Sequence, residues 1–199
     1  MKKFLLAILA AAALTSAALA NEFTFAQAGV KITVPNGYTL LQRSEIDQLY
    51  PPTRGPGFVI GNAARSVTIS YDLKPFDLAS LNLAQAMKPF EQVFEKRVPS
   101  LVWKERKLLE FEKQQWLQLE FLSRDRNADY YNIMLITAVK DQMLVLNLNA
   151  SAADFPAAEP ELRAIMKTIV LNVVVPEPVA TPAPTKKPAP AKKKEKAAG

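Results

Sequence analysis

Residues 102–150 hold four strand-length segments whose connections are too short to contain a helix. The segments run Val102 to Phe111, Gln115 to Ser123, Tyr130 to Val139 and Met143 to Ala150. Glu112-Lys113, Arg124 to Asp129 and Lys140-Asp141-Gln142 join them. A parallel pair needs a crossover of a dozen or more residues, so these neighbours are predicted to run antiparallel. Their alternation differs in a telling way. Trp116-Leu117-Gln118-Leu119-Glu120-Phe121 alternates between an apolar and a mostly polar face, whereas Tyr131 to Val139 is apolar at nearly every position. A strand that is apolar on both sides needs cover on both sides.

Two helical patterns can supply that cover. From Ser80 onward, Leu83, Met87, Phe90 and Phe94 recur at spacings of three and four, with Glu91, Gln92, Glu95 and Lys96 opposite. Pro89 conflicts with this pattern, because a proline inside a helix costs about 3 kcal/mol and removes a donor. It predicts a kink or a fresh start near Lys88, and Pro99 ends the pattern. The second helix is predicted over Ala157 to Ile169, with Leu162, Ile165, Met166 and Ile169 on one face and Asp154 as its cap. The predicted fold class is α+β: a central, largely antiparallel sheet with helices on both faces, an α/β/α sandwich.

The preceding residues extend the sheet. Val30 to Val34 alternates and stops at Pro35-Asn36-Gly37, a turn cluster. Tyr38 to Leu41 resumes briefly. Ser44 is placed to cap a short helix, Glu45 to Leu49, which Pro51-Pro52 terminates. Phe58 to Ile60 and Ser66 to Tyr71 are strands joined through the turn dipeptide Gly61-Asn62.

That order of elements resembles the PsbP-like superfamily. The likeness rests on a first strand ending in Val34-Pro35-Asn36-Gly37-Tyr38, then a hairpin, a long helix, an antiparallel run and a C-terminal helix. The superfamily includes the extrinsic photosystem II subunit, a nuclear Ran-binding relative and bacterial exported proteins of the DcrB type. The resemblance spans about residues 22–172 and implies an α/β/α binding domain without catalysis. It transfers no functional residue.

Both chain ends read differently from the middle. Met1-Lys2-Lys3, the apolar stretch Phe4 to Leu14 and Ala18-Leu19-Ala20 have the grammar of a secretory signal peptide, cleaved after Ala20. The apolar stretch is shorter than the roughly 20 residues a membrane span requires. The predicted organisation is a signal peptide over 1–20, one globular domain over 21–175 and a Pro/Ala/Lys-rich tail over 176–199 that cannot bury a core. The expected compartment is the bacterial periplasm or the exterior. Of the net charge of +6, Lys2 and Lys3 carry +2, and the six Lys and two Glu of the tail carry +4. The domain between them is neutral, which argues against nucleic acid as a partner.

Composition removes most chemistry. The chain has no His and no Cys, so His-dependent triads, imidazole or thiolate metal sites and thiol redox are excluded. Asp125-Arg126-Asn127-Ala128-Asp129 imitates the start of a calcium loop, but Tyr130 and Ile136 occupy the positions of its required Gly and Glu. It reads as a polar turn. Trp103 and Trp116, on neighbouring strands, read as core. No catalytic residue, cofactor or metal is expected.

The candidate recognition element is the Pro/Gly-stiffened loop Tyr50 to Gly57, with Tyr50 and Arg54 available to a protein partner of the envelope. Lys186, Lys187, Lys192, Lys193, Lys194 and Lys196 are the candidate contacts of the tail to anionic lipid, lipopolysaccharide or cell-wall polymer. The leading expectation is an exported accessory or binding protein. Its alternatives are a carrier of a small apolar or lipid ligand held between sheet and helix, and a carboxylate-dependent hydrolase.

Overall fold

The computed structural model describes residues 20–50, 55–78, 82–111, 113–125 and 128–171. In chain order its strands are β1 (Ala20–Phe25), β2 (Val30–Pro35), β3 (Thr39–Leu40), β4 (Phe58–Gly61), β5 (Val67–Lys74), β6 (Val102–Phe111), β7 (Gln114–Asp125), β8 (Ala128–Val139), β9 (Gln142–Ser151) and β10 (Val170–Leu171). Its helices are α1 (Arg43–Leu49), α2 (Leu83–Arg97) and α3 (Phe155–Met166). Seven strands form one sheet in the order β3-β4-β5-β9-β8-β7-β6, antiparallel at every pairing. The α+β fold expected from the sequence is present.

The two-residue side-chain period of a strand separates the faces. On β9, Leu144, Leu146 and Leu148 join a core with Ile133 and Leu135 of β8, which α3 covers with Phe155, Leu162 and Ile165. The interleaved Met143 and Val145 point the other way, with Met134 and Ile136 of β8 and Leu117, Leu119 and Phe121 of β7. There α2 covers them through Leu83, Ala86, Met87, Phe90 and Phe94. This explains the doubly apolar β8: one helix lies over each side. Full burial of each such Leu or Ile is worth about 1.5–3 kcal/mol.

Four expectations change. The first strand of the pattern, β2, is not in the main sheet. It pairs with β1 and β10 in a separate three-stranded sheet, and its Val30, Ile32 and Val34 pack against the α3-side core. α2 opens at Leu83, capped by the Asn82 carboxamide, which accepts from the Ala84 N–H at 2.9 Å; Ser80 lies outside the described residues. α2 does not begin afresh near Lys88 but runs unbroken from Leu83 through Pro89. Pro89 is exposed, as is Gln85, whose carbonyl it deprives of a donor, so water can reach the orphaned oxygen. Asp154 stands at the N-cap of α3 without capping it, because its carboxylate accepts from the Ser151 hydroxyl instead (2.7 Å).

Candidate functional site

α1 closes one end of the α2-side face, and its position follows from a charge pair. The Gln42 N–H and Glu45 carboxylate meet at 2.8 Å, so helix entry is set by Gln42 rather than by Ser44. Glu45 also accepts from Arg65, at 3.1 Å from Nε and 2.7 Å from Nη2. That backbone hydrogen bond and the Arg65 guanidinium hold the Glu45 carboxyl below the usual range. Arg65 sits at φ 57 in the β4–β5 turn and donates to the carbonyl of Asn62 at 2.9 Å. The hairpin tip is thereby strapped to α1, and Leu41, Ile46 and Val59 pack beneath it.

Tyr50, which ends α1, turns its phenol inward to Thr68 of β5, 3.2 Å away. The Thr68 hydroxyl donates to the Asn149 carboxamide oxygen, so the hydrogen between Tyr50 and Thr68 belongs to Tyr50. Burial raises the Tyr50 pKa. A second relay fixes the neighbouring amides. Asn132 Nδ2 lies 2.9 Å from Ser123 Oγ and 3.3 Å from the Tyr130 carbonyl. Its oxygen therefore faces Asn147 and accepts from Asn147 Nδ2 at 3.3 Å. These groups, with Leu49, Arg65 and Ser66, enclose a recess of about 130 Å³. Asn147 Oδ1 is buried beside it and has no hydrogen-bond partner among the described residues.

The opposite face carries a larger cleft of about 500 Å³ between β6, β7 and α3. Leu109, Phe111 and Met166 give it an apolar floor, and Glu105, Lys107, Gln118, Arg163 and Lys167 a polar rim. Behind the rim lies Glu120, whose side chain is 1% exposed. It accepts two hydrogen bonds from Arg163, one of them at 2.8 Å, and one from the Tyr131 hydroxyl at 2.7 Å. Gln118 Nε2 donates to it and to Glu105, 3.1 Å away. Burial pushes the Glu120 pKa up, but Arg163 and Tyr131 outweigh burial and the carboxyl titrates below its ordinary value.

A third recess, about 350 Å³, lies along the flank of α2 beside Phe76 and is bounded by Phe76, Gln85, Ala86, Pro89, Phe90 and Val93. Phe76 is 46% exposed and Val93 45%.

Of the residues singled out from the sequence, Tyr50 forms a wall of the polar recess. Arg54 and the tail lysines Lys186, Lys187, Lys192, Lys193, Lys194 and Lys196 lie outside the described residues. Trp103 and Trp116 belong to opposite faces, so they share no platform. Arg124 and Asp129 of the calcium-like turn pair with each other at 2.8 Å. Sequence reasoning did not single out Thr68, Asn132 or Asn147, and met Asn149 only as the start of a discounted Asn149-Ala150-Ser151 glycosylation sequon. The trace of them was present in Leu146-Asn147-Leu148-Asn149, where amides stand at positions a solvated strand usually fills with charges.

No known sequence family matches the chain, nor does any curated protein. Among solved structures, cyanobacterial PsbP (CyanoP) from Synechocystis sp. PCC 6803 superimposes with a TM-score of 0.54 at 10% identity, covering 79% of this chain and 95% of that one. LpqN of Mycobacterium tuberculosis, involved in cell envelope biogenesis, gives 0.49 at 13% identity, with 76% and 90% covered. A Pseudomonas aeruginosa protein of unknown function gives 0.46 at 15%, with 80% and 98% covered. Such identities speak for fold and not for activity. A fully antiparallel seven-stranded sheet flanked by α2 on one side and α3 on the other, which superimposes on the cyanobacterial protein over most of both chains, gives this chain the PsbP-like fold.

Proposed function

We propose that the protein is an exported, non-enzymatic binding protein of the bacterial envelope, and that its folded domain docks a partner protein along the flank of α2. The observation that carries this reading is the apolar groove between Phe76, Phe90 and Val93, whose lining holds almost no polar atoms. Contiguous exposed apolar surface on a soluble domain marks an interaction site. Lys96 continues the same helical stripe one turn beyond Val93. The occupant that fits is a protein segment with an apolar anchor followed by an acidic residue.

The state of Glu120 supports a non-catalytic role. A general acid needs a raised pKa, and that of Glu120 is lowered while its oxygens are occupied by Arg163, Tyr131 and Gln118. Export through residues 1–20 and weak tethering of the tail through Lys186, Lys187, Lys192, Lys193, Lys194 and Lys196 complete the proposal.

The test is a photo-crosslinking residue at Val93 of the full chain, expressed in bacterial envelopes, with Lys140 as control position. One discrete heterologous adduct at position 93, lost on Phe76→Asp and absent from position 140, is expected. No adduct, or an adduct with the mass of a second copy, refutes the docking site. Retention of full-length chain on envelope fractions should fall with salt, and a chain ending at Val175 should be retained less; equal, salt-insensitive retention removes the tether.

The cleft beneath α3 favours a second reading, a carrier of an amphipathic ligand, because its apolar floor and charged rim lie between sheet and helix. A copurifying small molecule in native mass spectrometry would support it, and a clean apo mass would count against it.

A further inference from the structure

The recess walled by Tyr50 differs from the other two in having a more polar lining and no uncompensated charge. Its single charged neighbour, Arg65, is neutralised by Glu45 at 2.7 Å. A charged ligand would enter without a counter-charge, at a desolvation cost that nothing in the wall offsets. The wall instead offers three carboxamides and several hydroxyls, groups that both donate and accept.

Their orientations are determined by their neighbours. Asn132 must aim its Nδ2 at the Tyr130 carbonyl and Ser123, so its oxygen turns to Asn147. Asn147 must then aim its own Nδ2 at Asn132, and turning either amide over would set two oxygens against each other. Asn147 Oδ1 is left as a buried acceptor without a donor among the described residues. Such a group costs stability. That oxygen is shut off from the recess itself, so a ligand would meet the amide and hydroxyl groups around it.

We infer that the recess binds one neutral, hydroxyl-rich ring, a monosaccharide unit of a glycan, whose hydroxyls pair with the amides and hydroxyls of the lining. The volume of about 130 Å³ is many times the roughly 10–15 Å³ that a cavity needs to hold one water. It suits a single ring and not an extended chain. Sugar hydroxyls can pair with amides that both donate and accept, and the Tyr130 ring beside Asn132 gives the C–H face of a pyranose an aromatic surface. The proposal concerns the end of the face that α1 closes and is independent of the groove on α2.

The experiment is saturation-transfer difference NMR on the full chain, with N-acetylglucosamine as probe and acetate and inorganic phosphate as charged comparisons. Transfer to the sugar ring protons and none to acetate is expected, with phosphate producing no competition. Asn147→Leu should weaken binding about tenfold or more while the chain still melts cooperatively. Tyr130→Ala, which leaves the amide relay in place, provides a second reading if that variant does not fold, and should also reduce transfer. Absence of transfer from the wild-type chain, competition by phosphate, or transfer undiminished in both variants would overturn the inference.

Discussion

Removing Arg163 should be much more damaging than removing its partner Glu120, and the reason is where each charge lies. The Glu120 side chain is 1% exposed and that of Arg163 is 31% exposed. In Arg163→Met the carboxylate keeps only the Tyr131 hydroxyl and Gln118 amide as partners, away from water. Stranding a buried charge in this way costs about 3–5 kcal/mol. In Glu120→Gln the guanidinium retains Glu159 at 3.1 Å and solvent on its open side. The loss is then about 1–2 kcal/mol, the scale of one hydrogen bond to a charged group. The double variant should lie close to Glu120→Gln alone, because the stranded charge is gone. With a urea slope near 2 kcal/mol/M, a loss of about 4 kcal/mol lowers the unfolding midpoint by about 2 M. The emission of Trp116, buried and stacked on Phe111 at 4.8 Å, reports the transition.

The same pair reverses the pH response. In the wild-type fold the Glu120 pKa is lowered. Its contribution is therefore complete above the unfolded value near 4.3 and is lost as pH falls through the lower folded value. Without Arg163, burial dominates and the folded pKa rises above the unfolded one. The contribution then has the opposite sense: present below the unfolded value and lost as pH rises through the raised one. Between pH 7 and pH 5 Arg163→Met should gain stability, while this group leaves the wild type flat. A loss below about 1 kcal/mol at pH 7, or parallel pH profiles, refutes the argument.

Three further outcomes follow from individual contacts. Thr168→Val should cost about 1–2 kcal/mol in urea unfolding, since the Thr168 hydroxyl accepts from the Thr33 N–H at 3.0 Å and ties β2 to the end of α3. Tyr50→Phe should cost about 1 kcal/mol by the same measurement, because the phenol donates to Thr68 in a part-buried setting. Gly61→Ala should lower stability by about 1–2 kcal/mol, as its new Cβ would stand 2.9 Å from Leu41 Cδ1 and 3.2 Å from Arg65 Cδ; an unchanged melting transition would show that both side chains move aside freely.

The antiparallel run was readable because short connections and period-2 alternation are local properties. The doubly apolar Tyr131 to Val139 also announced its two covers, since a strand cannot bury both sides without them. β1 and β10 were not readable. β10 has only two residues, and its pairing with Val30 and Lys31 spans most of the chain. β1 begins at Ala20, inside the stretch whose composition reads as an export sequence. The candidate site was legible only at Tyr50. Glu120 looked like an ordinary outward-facing residue of an alternating strand, and its burial depends on Arg163, which lies 43 residues away. Asn147 and Asn149 likewise need β5 and β8 beside them before their amides form a wall.

The recesses lie where helix and sheet dimensions fail to match. The 15 residues of α2 make about 22 Å of helix at 1.5 Å each. The 12 residues of β8 make about 40 Å of strand at about 3.3 Å each. Seven strands at about 4.8 Å spacing span about 29 Å between the outer two, while a helix with its side chains is about 10 Å wide. Neither α2 nor α3 can cover its whole face, so each face keeps an uncovered part whose residues must tolerate water. On the α2 side β9 changes from Met143 and Val145 under the helix to Asn147 and Asn149 beyond it. On the α3 side β7 changes from Trp116 in the core to Gln118 and Glu120 at the cleft. Simple solvation would have been met by Lys and Glu, which carry long, mobile side chains at little cost. Beside charges such as Glu105 and Lys107, both faces place polar groups whose hydrogen bonds are made largely within the protein, and each surrounds a concavity. The ordered amides on one face and the buried ion pair on the other distinguish these two ends from an ordinary surface, and they are the physical basis for proposing ligand binding at the recesses rather than at the strand edges.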